Sequence, residues 1–221
     1  YKRQLRFCAF PQGADFHLKV ISDAAFKKEE EKGHSLRGTA YLIATGKDIA
    51  DFSKGGPVHV IEFLSKSLRH VTRSTFAAEL HGACDSADLG ILILLMLHEI
   101  KHGPVTKAQA RQLRDHGGYS LPMTLHVDAM SVYAAITATN IKHPAESLLT
   151  HVQFIRDILD NHVLAALFWN DIRDMVADGL TKGAVDRQAL HDIMEGLLKV
   201  NHEYKLSLIH ISEPTRLLSI A

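Results

Sequence analysis

Cysteine and net charge are what this sequence has least of. Two cysteines in 221 residues, Cys8 and Cys84, cannot build a disulfide framework, and no signal peptide opens the chain, so a reducing intracellular setting is expected. The 25 Lys plus Arg are matched by 25 Asp plus Glu. Bulk charge therefore cannot hold the chain to nucleic acid, and any anionic partner has to be met by a local patch. Long hydrophobic runs are also missing: Leu89 to Leu97 is the only membrane-like stretch, about half the ~20 residues of a spanning helix, and reads as a buried helix. There is no internal repeat and no low-complexity segment before the tail. What is present is a 46% hydrophobic chain of a length that suits one generous domain or two small ones. It opens on Tyr1 rather than Met, as expected of a piece of something longer.

The hydrophobic pattern orders the chain. Leu18 to Asp23, Arg37 to Ala44 and Val58 to Ser65 read as three strands close in sequence, hence an antiparallel meander, with the charged run Lys27 to Lys32 as a solvated connection. Ser74 or Thr72 can cap a long helix on which Phe76, Leu80, Ala83, Ala87, Ile91 and Leu94 share a face, ended near His98 by Gly103 and Pro104. A short polar helix over Ala108 to His116, a strand over Leu121 to Val127 and a helix over Met130 to Ala138 follow. After a break at Pro144, Leu148, Val152, Ile155 and Leu159 mark another helix. Val163 to Trp169 reads as a buried strand, and Ile172 to Lys182 begins a last helix. That order predicts an α/β or α+β domain with a mixed sheet.

Four carboxylates fall at element ends: Asp23 and Asp128 close strands, Glu79 lies in the first turns of the long helix, and Asp178 lies in the last helix. Hard divalent cations need oxygen ligands, and two of them ~4 Å apart can clamp a phosphodiester. Spacing alone does not single out these four, because 25 acidic residues offer many quartets.

The segments around them are more telling. Val20-Ile21-Ser22-Asp23-Ala24, Ile61-Glu62-Phe63-Leu64-Ser65-Lys66-Ser67 before Ser74-Thr75-Phe76-Ala77-Ala78-Glu79-Leu80, Leu125-His126-Val127-Asp128-Ala129-Met130-Ser131 and Val176-Ala177-Asp178-Gly179-Leu180-Thr181-Lys182 occur in this order. Together, over about Leu18 to Leu198, the chain resembles the C-terminal ribonuclease H domain of copia-type LTR retrotransposon Pol polyproteins. The resemblance implies an α/β, ribonuclease H-like fold: a five-stranded mixed sheet flanked by helices, spanning residues 15–200, with 1–14 as a linker from the upstream polyprotein. It implies a metal-dependent endonuclease that hydrolyses the RNA strand of RNA·DNA hybrids during reverse transcription. The cofactor would be two Mg²⁺ ions, with Mn²⁺ able to substitute. Carried over by position, Asp23 would bridge both ions, Glu79 and Asp128 would hold the one on the leaving-group side, and Asp178 would hold the one that activates water. Ser22, Ser74, Ser131, His151 and Lys182 become candidate substrate contacts. The partners implied are the hybrid and an upstream reverse transcriptase, with no membrane, in the cytoplasm (a virus-like particle) or the nucleus. Two departures bear on catalysis: Ala129 stands where the family has Asn, and Leu149-Thr150-His151-Val152-Gln153 keeps only the His of the family's Lys-His-Ile-Asp. A degenerate, non-catalytic domain that binds nucleic acid or supports the reverse transcriptase is the alternative; an integrase-like strand transferase fits less well, because its site uses three carboxylates.

Other features have plainer explanations. His98-Glu99-Ile100-Lys101-His102 fits the His-Glu-x-x-His pattern of zinc proteases, but the chain has 15 histidines and the helix stops directly afterwards. Cys84 suits a small buried hydrophobe, Trp169 the core, and Asp171 and Asp174 helix caps. Lys66, Arg69, Arg73 and Lys182 could form the local basic patch or simply a solvated face. Finally, Leu206 to Arg216 resembles, residue for residue, the translation of a transposase-derived sequencing adapter, so residues 206–221 are expected to be non-native and disordered or loosely docked, a natural amphipathic tail being the alternative.

Overall fold

Strand β1 (Phe16–Ala25) alternates as a two-faced strand must, with Leu18, Val20, Ser22 and Ala24 on one side and His17, Lys19, Ile21 and Asp23 on the other. The computed structural model, which describes residues 4–26, 34–69, 71–138 and 146–206, builds a seven-stranded sheet outward from it. β1 pairs antiparallel with β2 (Leu36–Thr45), and β2 pairs antiparallel with β3 (Gly56–Ser67) across a short helix α1 (Ile49–Phe52). On its other edge β1 runs parallel to β4 (Met123–Val127), and β4 parallel to β5 (Ala166–Asn170). The five central strands thus stand in the order β3-β2-β1-β4-β5, the ribonuclease H-like α/β arrangement that the motifs imply.

The sheet has seven strands rather than five. β6 (Leu197–Leu198) adds to β3, and β7 (Tyr204–Leu206) adds to β5. Both are edge strands of two or three residues, too short to leave a periodic trace in the sequence. Leu206, assigned above to the foreign tail, is the last residue of β7, opposite Phe168. Residues 207–221, the charged run Lys27 to Lys32 and the Pro144 break lie outside the described residues. Of the predicted linker, residues 4–14 carry no strand or helix but lie against β3 and the C-terminal part of the chain: Arg6 donates its backbone N–H to the Met194 carbonyl, and His59 meets the Cys8 carbonyl at 2.6 Å.

Helix α2 (Thr75–His102), capped by the Ser74 side chain, crosses one face of the sheet. It is long and apolar enough to cross a membrane by length and composition, yet its inner face is buried on β1, β2 and β4. Gly82, Ser86 and Gly90, four residues apart, let it come close: a Cβ at Gly90 would lie 2.6 Å from Met123 Sδ. α3 (Lys107–His116) is polar and exposed; α4 (Met130–Thr137) and α5 (Glu146–Asp160) complete the layer, and Val132, Ile136, Val152, Ile155 and Leu159 join its core. The opposite face carries a smaller core, in which Ile21, Ala40, Leu42 and Val60 meet Met175, Val176, Ala177 and Ile193 of α7 (Gln188–Met194).

The helix predicted over Ile172 to Lys182 is not continuous. Ile172–Asp174 is a single 3₁₀ turn, and α6 (Asp178–Thr181) is one separate turn. The cause is distant in sequence: buried Asp174 accepts the backbone N–H groups of Asn201 and His202 at 3.0 and 2.8 Å and the His202 ring at 2.9 Å. This holds residue 174 to the C-terminal segment instead of letting the helix run on.

Candidate metal centre

Each acid reaches the rim by a different route. Asp23 belongs to the last turns of the β1 ladder, and Asp128 directly follows β4, whose Val127 pairs with Ser22, so the parallel register alone brings the two side by side. Side chains at the C-terminal ends of parallel strands are where α/β sheets place their sites. The Trp169 indole N–H donates to the Asp128 carbonyl at 2.7 Å and fixes that turn. Asp178 arrives on α6, which sits on β2 where Gly38 leaves room. A Cβ there would come within 2.7 Å of Thr181 Cγ2, 2.8 Å of Leu180 Cβ and 2.9 Å of the Ala177 carbonyl. The row Asp23, Gly38, Ser65, in register across three strands, then clamps α6 from both sides: the Thr181 hydroxyl donates to Asp23 Oδ2 and the Ser65 hydroxyl to the Leu180 carbonyl at 2.6 Å.

Asp23, Asp128 and Asp178 each present a carboxylate oxygen within 4.8 Å of the others. Glu79 comes from α2, and its Oε2 accepts the Ala24 backbone N–H at 3.0 Å. Like charges packed this way resist ionisation. Burial, then the charges of Asp23 and Asp128, push the Glu79 carboxyl up to about 9. Burial, then Asp23, pushes Asp128 up to about 7, and burial raises Asp178 as well. One oxygen of the set, Asp23 Oδ1, is buried with no hydrogen-bond donor. A buried anionic oxygen without a donor, beside two further carboxylates, fits a hard cation, so the donor set suits Mg²⁺ or Mn²⁺.

The remaining candidates divide. Lys182 joins the acids: its Nζ donates to Asp178 Oδ1 and lies 3.7 Å from Asp23 Oδ1. Ser22 does not. One residue before Asp23, it points to the opposite face, buried, with its hydroxyl 3.0 Å from Ser86. Ser74 is spent as the cap of α2, and Ser131 is exposed in the first turn of α4. His151, half-buried on α5, packs edge-on against His81 at 4.3 Å. Asp171 caps the 3₁₀ turn as expected, whereas Asp174 clamps Asn201 and His202. In the protease-like motif His98 meets Ser120 at 2.9 Å and Glu99 accepts the Val105 N–H. Ser65, Thr181 and Gly38, which seat α6, carry no chemical signature of their own; Ser65 and Thr181 fall within the quoted motifs, whereas Gly38 lies in none of them.

No protein-family model and no curated protein matches the chain. Among solved structures, it is similar to the N-terminal RNase H domain of a Mycobacterium tuberculosis protein, at 15% identity over 77% of this chain and 94% of that one, with a TM-score of 0.42. It is also similar to LC11-RNase H1, isolated from compost by a metagenomic approach: 12% identity, 77% and 96% covered, TM-score 0.45. A third is the Prototype Foamy Virus protease-reverse transcriptase, at 12% identity over 72% of this chain and 18% of that one, TM-score 0.35. At such distances the functional reading rests on the carboxylates themselves.

Proposed function

We propose that this chain is a metal-dependent ribonuclease H that cuts the RNA strand of RNA·DNA hybrids, and that it derives from a copia-type retroelement polyprotein. The observation that carries the chemistry is the meeting of Asp23, Asp128 and Asp178 within 4.8 Å around a buried oxygen with no donor. The substrate class and retroelement context come from the four ordered motifs. Asp23, Asp128 and Asp178 would hold the cations, with Glu79 alongside. When bound, a pair of divalent ions would activate water on one side of the scissile phosphodiester and stabilise the leaving oxygen on the other.

The protein's own contribution is placement and charge. The β1–β4 register and the Trp169 bond set Asp128, and the Gly38 seat sets Asp178. Burial and the charges of Asp23 and Asp128 hold the Glu79 carboxyl up at about 9, which favours its protonated form at pH 7, and its Oε2 accepts the Ala24 backbone N–H. The test is cleavage of a hybrid labelled in each strand, in Mg²⁺, in Mn²⁺ and in excess chelator. RNA-strand products that need the metal are the expected result. Cutting of the DNA strand, cutting in chelator, or hybrid binding without any cleavage would each overturn the assignment, the last in favour of a non-catalytic domain.

A further inference from the structure

An acid cluster without its cations has to be neutralised by something, and here the chain brings its own charge. Lys182 follows α6, four residues after Asp178, the spacing at which a helical turn stacks two side chains. Its Nζ donates to Asp178 Oδ1 and lies 3.7 Å from Asp23 Oδ1, the buried oxygen with no hydrogen-bond donor. Among the described residues, no other lysine or arginine forms an ion pair with any of the four acids. Less than a third of the Lys182 side chain is exposed, so the pair is only partly screened by solvent.

Resting on the metal-dependent reading, we propose that Lys182 is a resident counter-cation that competes with the divalent ion for Asp178 and Asp23 and has to swing out when the ion binds. An ammonium and a dication drawn to the same two carboxylates repel each other with an energy proportional to the product of their charges divided by their separation, so binding of the ion favours displacement of the ammonium. The long, flexible lysine stem gives the ammonium somewhere to go: released from Asp178, it turns to solvent at the rim. While it stays, it preserves the arrangement of the acids in the ion-free protein; when it leaves, a positive charge becomes free beside the cleft. This differs from the substrate contact expected of Lys182 from the motif, since its first partners are the ligands themselves.

Mn²⁺ affinity, read by electron paramagnetic resonance of free Mn²⁺ at low ionic strength, tests the idea without reference to turnover. Lys182→Gln is expected to bind Mn²⁺ at least tenfold more tightly than the wild type, and Lys182→Arg to stay within about threefold of it. An unchanged or weaker affinity in the Gln variant overturns the proposal, whereas a wild-type protein that binds no Mn²⁺ at millimolar concentration overturns the metal-dependent reading beneath it. A second readout needs no variant: the reactivity of Lys182 toward an amine-modifying reagent, followed by mass spectrometry, should rise severalfold when Mg²⁺ is added. Mn²⁺ binding with no rise in Lys182 reactivity would show that the lysine never moved.

Discussion

At the scale of single residues, the charge of Asp128 and its shape can be separated. Asp128→Asn keeps the side chain's size but removes one of the charges gathered within 4.8 Å, so a site that must hold dications loses much of its hold. Turnover on a hybrid should fall by about a thousandfold or more, which is ~4 kcal/mol of lost barrier reduction, while hybrid affinity persists. The melting temperature should not drop, because burial and Asp23 already hold the Asp128 carboxyl at about 7, which marks its charge as a cost to the fold. A variant that melts normally and still cuts at near wild-type rate refutes the ligand role. Lys19, on β1, offers a second case. It is fully buried, its ammonium donates to the Lys54 carbonyl at 3.0 Å, and burial pulls it down to about 7. Lys19→Met keeps the stem and removes the desolvated head, so chemical denaturation should show a gain of ~1–3 kcal/mol. A loss of stability would mean that the Lys54 bond outweighs the burial of charge.

Elements decide which of these residues meet, and α6 is the one turn that cannot be moved. Gly38→Ala puts a methyl group within 2.7–2.9 Å of three atoms of the α6 segment, so the turn must lift away and take Asp178 with it. Overpacking of this kind costs ~1–3 kcal/mol. The larger effect should be functional: Mn²⁺ affinity and cleavage should fall at least tenfold while circular dichroism still reports a folded protein. Unchanged metal affinity would show that Asp178 does not depend on this seat. α6 is also where sequence reading reached its limit. The central strands and α2 were legible because period-two and helical spacing are local, and motif order, not spacing, singled out Asp23, Asp128 and Asp178, which the fold brings within 4.8 Å. The stretch after Asp171 reads locally as one helix, yet Asp174 is captured by backbone groups 27 and 28 residues further on. No local pattern announces that. The same holds for β6 and β7, which exist only as pairings with β3 and β5.

For the whole molecule, the acids make stability depend on pH in a direction that a bound cation reverses. Glu79 moves from 4.5 to about 9 on folding, and Asp128 from 3.8 to about 7. Both are raised, so between those limits the folded chain binds more protons than the unfolded one. Their contribution is fully present below the unfolded values and is lost as pH climbs through the folded ones. Two buried bases act the other way. Lys19 falls from 10.5 to about 7, and His17 from 6.5 to about 3, so each favours the fold as pH rises across its own window. A single melting curve against pH therefore mixes opposed slopes, but the bases are on the far end of β1 and do not respond to the cation. The difference between melting in Mg²⁺ and in chelator isolates the acids. Below pH 5 Glu79 and Asp128 are protonated in the fold and the ion has to displace their protons, so the difference should be small. It should widen steadily to about pH 9, as binding costs fewer protons, and calorimetry in buffers of different ionisation heat should record proton release on Mg²⁺ binding at pH 7. Asp128→Asn should flatten the rise between pH 4 and 7 and leave the Glu79 part above it. An Mg²⁺ effect of equal size at pH 5 and pH 9 would mean that the ion binds elsewhere, and the carboxylate quartet would then have no claim to it.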